Sequence, residues 1–136
     1  MKRVIRNMTN EIRKLLGVDW GEKRIGLAIG DSETNLASPF KVVSDIDEIV
    51  SIIKQENINK VVVGQPVKMS GNKELSVDFN KFIKLLKSKT TTPVELVDER
   101  LSSKQADALL GNKKTKAAQD AIAAMLILQT YLDQQN

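Results

Sequence analysis

Apolar positions along this 136-residue chain change their spacing near residue 44. Before that point they come in short runs. Lys14–Val18 and Arg24–Ile29 flank a tight turn, and turn-forming residues from Gly30 to Asn35 lead into Leu36–Val43. Three such runs joined by short turns predict an antiparallel meander, and Pro39 marks the third strand as an edge strand or a bulged one. Beyond it, Ile46, Ile49, Val50 and Ile53 recur at helical spacing, and Ser44 with Asp47 fits the start of that helix. Lys60–Val63 is a short apolar strand of the kind covered on both faces in parallel sheets. Leu75, Phe79, Phe82, Ile83 and Leu86 form a second helical stripe, Val94–Val97 a fifth strand, and Ser102 with Gln105 opens a short helix that stops at Gly111. Lys116–Leu132 is the last helix, with Ala121, Met125, Leu128 and Leu132 along one side.

The order βββαβαβαα, with right-handed crossovers after the meander, predicts an α/β fold built on a mixed five-stranded sheet, order 3-2-1-4-5, with helices on both faces. This is the ribonuclease H-like topology. It gathers the carboxyl ends of strands 1, 4 and 5 at one edge, where open α/β sheets bind their ligands. The length allows one domain with a real core, expected over residues 14–136, with residues 1–13 as a basic, mobile extension.

Chemistry is bounded by what is missing. The chain has no cysteine and no histidine, which removes disulfides, thiolate or imidazole metal ligands, and Ser-His or Cys-His nucleophile pairs. Carboxylates, lysines, hydroxyls or a bound metal remain. Three acidic positions fit the sheet edge. Asp19 ends the first strand between Val18 and Trp20, at the margin of a core, and Gly21 would let a phosphate or another backbone come close. Asp98 and Glu99 end the fifth strand. Alternation forbids both from facing the same way while the strand lasts, so Glu99, beyond the apolar run and longer in reach, is favoured as a ligand, with Asp98 in reserve. Asp120 lies in the first turn or so of an alanine-rich helix, where burial would demand a partner: a metal on one reading, Arg24 or Arg100 on the other.

Carboxylates without histidine suit Mg²⁺ or Mn²⁺, and a pair of such ions can drive phosphodiester hydrolysis. The net charge of +4 is carried by residues 1–14. Lys23, Arg24, Arg100 and the knot Lys113, Lys114 and Lys116 are the candidates for holding the phosphates of a nucleic acid. No apolar run is long enough to span a membrane and no signal peptide is visible, so a cytoplasmic protein is expected.

Five ordered motifs carry a resemblance: Gly17-Val18-Asp19-Trp20-Gly21, Lys23-Arg24-Ile25-Gly26-Leu27-Ala28, Val62-Val63-Gly64-Gln65-Pro66, Asp98-Glu99-Arg100-Leu101-Ser102 and Asp120-Ala121-Ile122-Ala123-Ala124. Together they resemble the YqgF/RuvX family of bacterial ribonuclease H-like proteins, over Leu15 to Leu132. The resemblance implies that Asp19, Glu99 and Asp120 are an acidic triad that binds Mg²⁺ or Mn²⁺. It also implies a nuclease that matures the 5′ end of pre-16S rRNA, with Holliday-junction resolution as the alternative. Trp20 stands where the family more often has Tyr or Phe, and Leu109–Ala118 is short for the family. Structured RNA or branched DNA is the expected partner, for a monomer or a homodimer. A non-catalytic nucleic-acid-binding module and a sugar-kinase-like nucleotide fold are the competing readings; the first lacks a use for three acidic positions, and the second needs two such domains.

Overall fold

A computed structural model describes residues 12–66, 73–99 and 116–135 of the chain. Its elements are β1 (Lys14–Asp19), β2 (Ile25–Asp31), β3 (Ala37–Val43), α1 (Ile46–Gln55), β4 (Lys60–Pro66), α2 (Lys73–Lys89), β5 (Val94–Glu99) and α3 (Lys116–Gln134). The strands form one sheet in the order β3-β2-β1-β4-β5, as the spacing of apolar positions predicts. β1, β2 and β3 pair antiparallel, whereas β4 runs parallel to β1 and β5 parallel to β4.

Both expectations raised by Pro39 hold at once. β3 is an edge strand, and its register slips between Leu27, which faces Lys41, and Ala28, which faces Pro39. Phe40 is the residue passed over. The parallel strands outrun their apolar stretches: pairs Gln65–Asp98 and Pro66–Glu99 continue the β4–β5 ladder two residues past Val97. The start of α1 differs from expectation. Asp45, not Ser44, is the N-cap; it has the extended backbone a cap requires, and its Oδ1 accepts the Glu48 N–H at 2.9 Å. Ser44 instead donates its N–H and its hydroxyl to Glu48 Oε1, each at 3.1 Å.

One face of the sheet packs under α1 and α2. Leu16, Val18, Leu27, Val61 and Val63 are buried there against Ile49, Ile53, Phe79 and Leu86. The other face carries α3, whose Ala124, Ile127, Leu128 and Leu132 lie on Leu15, Ala28 and Val62. The helix sits low because the strands beneath it carry glycine. A Cβ at Gly17 would come within 2.7 Å of Leu128 Cβ, and one at Gly64 within 2.5 Å of the Ile127 side chain. Larger residues at these places would lift the helix and open voids that a packed core does not tolerate. Arg13 is tied to the far end of the first hairpin, donating its N–H to Ser32 Oγ at 2.8 Å. Residues 1–11 of the expected extension and the expected helix from Ser102 to Gly111 lie outside the described residues. Among the described residues no helix is long and apolar enough to cross a membrane.

Candidate active site at the carboxyl edge of the sheet

β1 delivers Asp19 to the sheet edge between two neighbours, Gly26 on β2 and Gly64 on β4. Alternation gives its direction. Val18, fully buried, and Trp20 belong to the α1/α2 face, where the Trp20 indole meets Phe79 edge-on at 5.6 Å and Phe82 at 6.3 Å. Asp19 falls on the opposite face, the one that carries α3, as does Gly17 two residues before it. The aromatic cluster therefore anchors the strand end from below while leaving the acid above. This is the core margin expected from its flanking residues.

Gly26 places the second acid. A Cβ built on it would run into the main-chain carbonyl of Asp120, so α3 can press its backbone onto β2 directly across from Asp19 only because residue 26 has no side chain. Asp120 lies past the first turn of α3, which holds no acidic residue. The helix dipole acts mainly within that first turn, so the seat on Gly26, rather than the dipole, sets its place. Its Oδ2 accepts from Arg24 Nε at 3.1 Å, with the Asp120 side chain 26% exposed and that of Arg24 43%. Of the partners weighed for Asp120, a metal, Arg24 or Arg100, the described residues show Arg24.

The register bears on the choice between Asp98 and Glu99. Val97 stands beside Gly64 and packs toward α3. Position 99, two residues on and opposite Pro66, shares that parity, whereas Asp98 falls with Val94 on the α1/α2 face. Asp98 and Asp19 thus occupy opposite faces. By strand parity, positions 19 and 99 fall on the face that carries α3, with Asp120 on that helix; among the described residues alone, no three acidic side chains gather closely enough to hold a metal.

Of the two close approaches expected at Gly21, a phosphate or another backbone, the structure shows the second. The backbone that comes close to it is the chain's own: a Cβ there would stand 2.7 Å from the Arg24 carbonyl oxygen. It closes the turn that leads into β2. Lys23 is exposed on that turn, and Lys116 opens α3. Arg100, Lys113 and Lys114 lie outside the described residues. Gly26 is the residue that reading the sequence passed over. Its signal was available, since a glycine inside a strand often marks a close approach of another backbone.

The fold has relatives among junction-resolving enzymes. Thermus thermophilus RuvC bound to a Holliday junction superposes with a TM-score of 0.61 at 15% identity, covering 90% of this chain and 95% of the other. Fowlpox virus resolvase, also with junction DNA, gives 0.62 at 15% identity, covering 90% and 98%. These likenesses define the class, a ribonuclease H-like fold. The model of the family described as RuvX, Holliday junction resolvase, matches residues 13–134. A protein of Chloroflexus aurantiacus provisionally named pre-16S rRNA nuclease is 37% identical over 88% of this chain and 86% of its own length. One from Bordetella parapertussis with the same name is 39% identical over 88% and 92%. The chain belongs to the RuvX family, and its class of enzyme is nuclease.

Proposed function

We propose that this protein is a divalent-metal-dependent endonuclease that processes the 5′ end of pre-16S rRNA in the cytoplasm. The observation that carries the reading is the seating of Asp120 on Gly26, across from Asp19. Asp120 thus lies over the β2 neighbour of Asp19, an acid 101 residues away in sequence, and position 99 shares the face of Asp19. The donor set suits Mg²⁺ or Mn²⁺, because every candidate ligand is a carboxylate oxygen. Asp19, Glu99 and Asp120 would hold the metal. When bound, such ions supply Lewis acidity toward water and toward the leaving oxygen of a phosphodiester. The chain's own part is to fix those carboxylates on a rigid strand edge, to neutralise flanking phosphates with Lys23 and Arg24, and to add Arg100, Lys113, Lys114 and Lys116 to that basic surface. Contacts of this kind position a nucleic acid without reading its sequence.

The substrate follows from the names of the relatives, which are those of pre-16S rRNA nucleases. The description of the family as Holliday junction resolvase favours a second reading, cleavage of branched DNA. A single experiment separates the two. The purified chain is given a precursor rRNA end and a four-way DNA junction in parallel, with Mg²⁺, with Mn²⁺ and with chelator. Cleavage of the RNA alone supports the first reading, and of the junction alone the second. Binding without cleavage of either would return the protein to a non-catalytic module.

A further inference from the structure

Arg24 and Asp120 form an ion pair inside the proposed site, and its two halves differ in freedom. The backbone of Asp120 is pinned by its carbonyl against Gly26, and that of Arg24 is pinned by its carbonyl against Gly21. What can move is a side chain. Of the two, the guanidinium is the more open, 43% exposed against 26% for the carboxylate, and it is the longer and more flexible.

The pair also opposes what the site is proposed to do. An Asp120 oxygen that accepts from Arg24 Nε at 3.1 Å is engaged by one cation already, and a guanidinium at that distance repels a second. A phosphate is the natural competitor for the guanidinium, because its oxygens match the donor fork of arginine as a carboxylate does. We propose, resting on the nuclease reading above, that Arg24 is a positioning residue: it holds the Asp120 carboxylate at the sheet edge while no substrate is present, and a phosphate of the arriving nucleic acid draws it away, freeing Asp120 for a divalent cation. Metal and nucleic acid then bind cooperatively, with Arg24 as the link, and the coupling is the same whichever binds first.

The test is Mn²⁺ affinity measured by titration calorimetry on the full chain without nucleic acid. Arg24→Gln is expected to tighten Mn²⁺ binding about two- to fivefold, the range open to a half-exposed ion pair. Lys81→Gln, which removes the same charge from an exposed position of α2 on the other face of the sheet, leaves the affinity unchanged, and Arg24→Lys stays near wild type. In cleavage at saturating Mn²⁺, Arg24→Gln raises KM while kcat changes little, and Arg24→Lys restores part of the lost KM. Arg24→Met, which keeps the aliphatic stem, serves as a second variant and must show the same tightening. A purely structural role for the pair predicts the reverse, weaker Mn²⁺ binding as Asp120 loosens. Unchanged or weaker affinity in Arg24→Gln and Arg24→Met, with a wild type that does bind Mn²⁺, overturns the proposal alone. A wild type with no Mn²⁺ binding overturns the metal reading and this proposal with it.

Discussion

α3 crosses one face of the sheet and meets an ion pair near each end, and the two pairs have opposite polarity. Near its start, the Arg24–Asp120 pair has the anion as its less exposed member, 26% against 43% for the cation. Near its end, Lys60 and Glu95 do the reverse: the lysine is 18% exposed and the glutamate 44%. The inner lysine is also held by the Tyr131 hydroxyl, which accepts from Lys60 Nζ at 2.7 Å. A partly buried cation with two acceptors is a closed arrangement that ties α3 to β4 and β5. A shielded carboxylate behind an outward arginine is one that a metal and a phosphate can complete. The same helix and the same sheet face thus hold a fastening and the proposed site, and the difference lies in which sign is the more exposed.

The contrast is broken most severely at Asp19. Asp19→Asn keeps size and hydrogen-bonding shape and removes the charge that would hold a metal. Losing one such ligand should raise the barrier by several kcal/mol, about a thousandfold in rate at roughly 1.4 kcal/mol per factor of ten. Nucleic-acid binding should persist, because lysine and arginine contacts to phosphate supply most of the affinity. The measurement is single-turnover cleavage beside filter binding on the same preparation. A variant that still cuts at near wild-type rate removes Asp19 from the mechanism.

Gly26→Ala comes next, and it strikes the seat rather than the charge. The added methyl meets a main-chain carbonyl, which cannot swing aside as a long side chain would. Overpacking typically costs about 1–3 kcal/mol, and the upper part of that range is expected. Thermal melting reads the loss. Cleavage should fall further than the loss of folded protein accounts for, because Asp120 is pushed from Asp19. A variant of wild-type activity and stability would show that α3 can shift without consequence.

The sheet was legible in the sequence because each strand announces itself locally, by apolar runs of period two or continuous ones, and the meander leaves few ways to order them. The ends of the strands were less so. The apolar stretch stops at Val97, while the ladder reaches Glu99 through pairing with Pro66, and only that register separates the faces of positions 98 and 99. Asp19 could be picked out from its neighbours. Arg24, 96 residues from Asp120, was one of three open partners beside a metal and Arg100, since sequence distance carries no hint of the pairing. Gly17, Gly26 and Gly64 look unrelated until strand register puts Gly26 and Gly64 on either side of Asp19 and Gly17 two residues before it, all under α3. The Lys60–Glu95–Tyr131 cluster was missed outright, as each member alone is an ordinary residue.

At the other end of α3 the expected effects are smaller and purely structural. Lys60→Met removes the inner cation and leaves the Tyr131 hydroxyl and the Glu95 carboxylate to water and to each other, 3.4 Å apart. With Glu95 nearly half exposed, the loss should be about 1 kcal/mol. Cleavage per folded molecule should not change. A drop in specific activity without unfolding would join the two ends of the helix functionally and erase the contrast drawn between them.

Alkali gives the mildest test, and it sharpens the contrast without a large perturbation. Glu95 first, and then the Tyr131 hydroxyl, accept from Lys60 and hold its ammonium above the ordinary lysine value of 10.5. A cation whose proton is held more tightly in the folded state contributes stability that is fully present below the unfolded value and is lost as pH rises through the folded one. The contribution of Lys60 should therefore be constant from neutrality to about pH 10 and fade only above that. Other lysines lose their charge in the same range, so Lys60→Met is the reference. The difference in melting temperature between wild type and variant should hold steady and then shrink above about pH 10.5, where the pair dissolves. A difference that begins to shrink below pH 9 would mean that Lys60 is not the group being discharged. One that persists unchanged to about pH 12 would mean that the methionine loses packing rather than an ion pair.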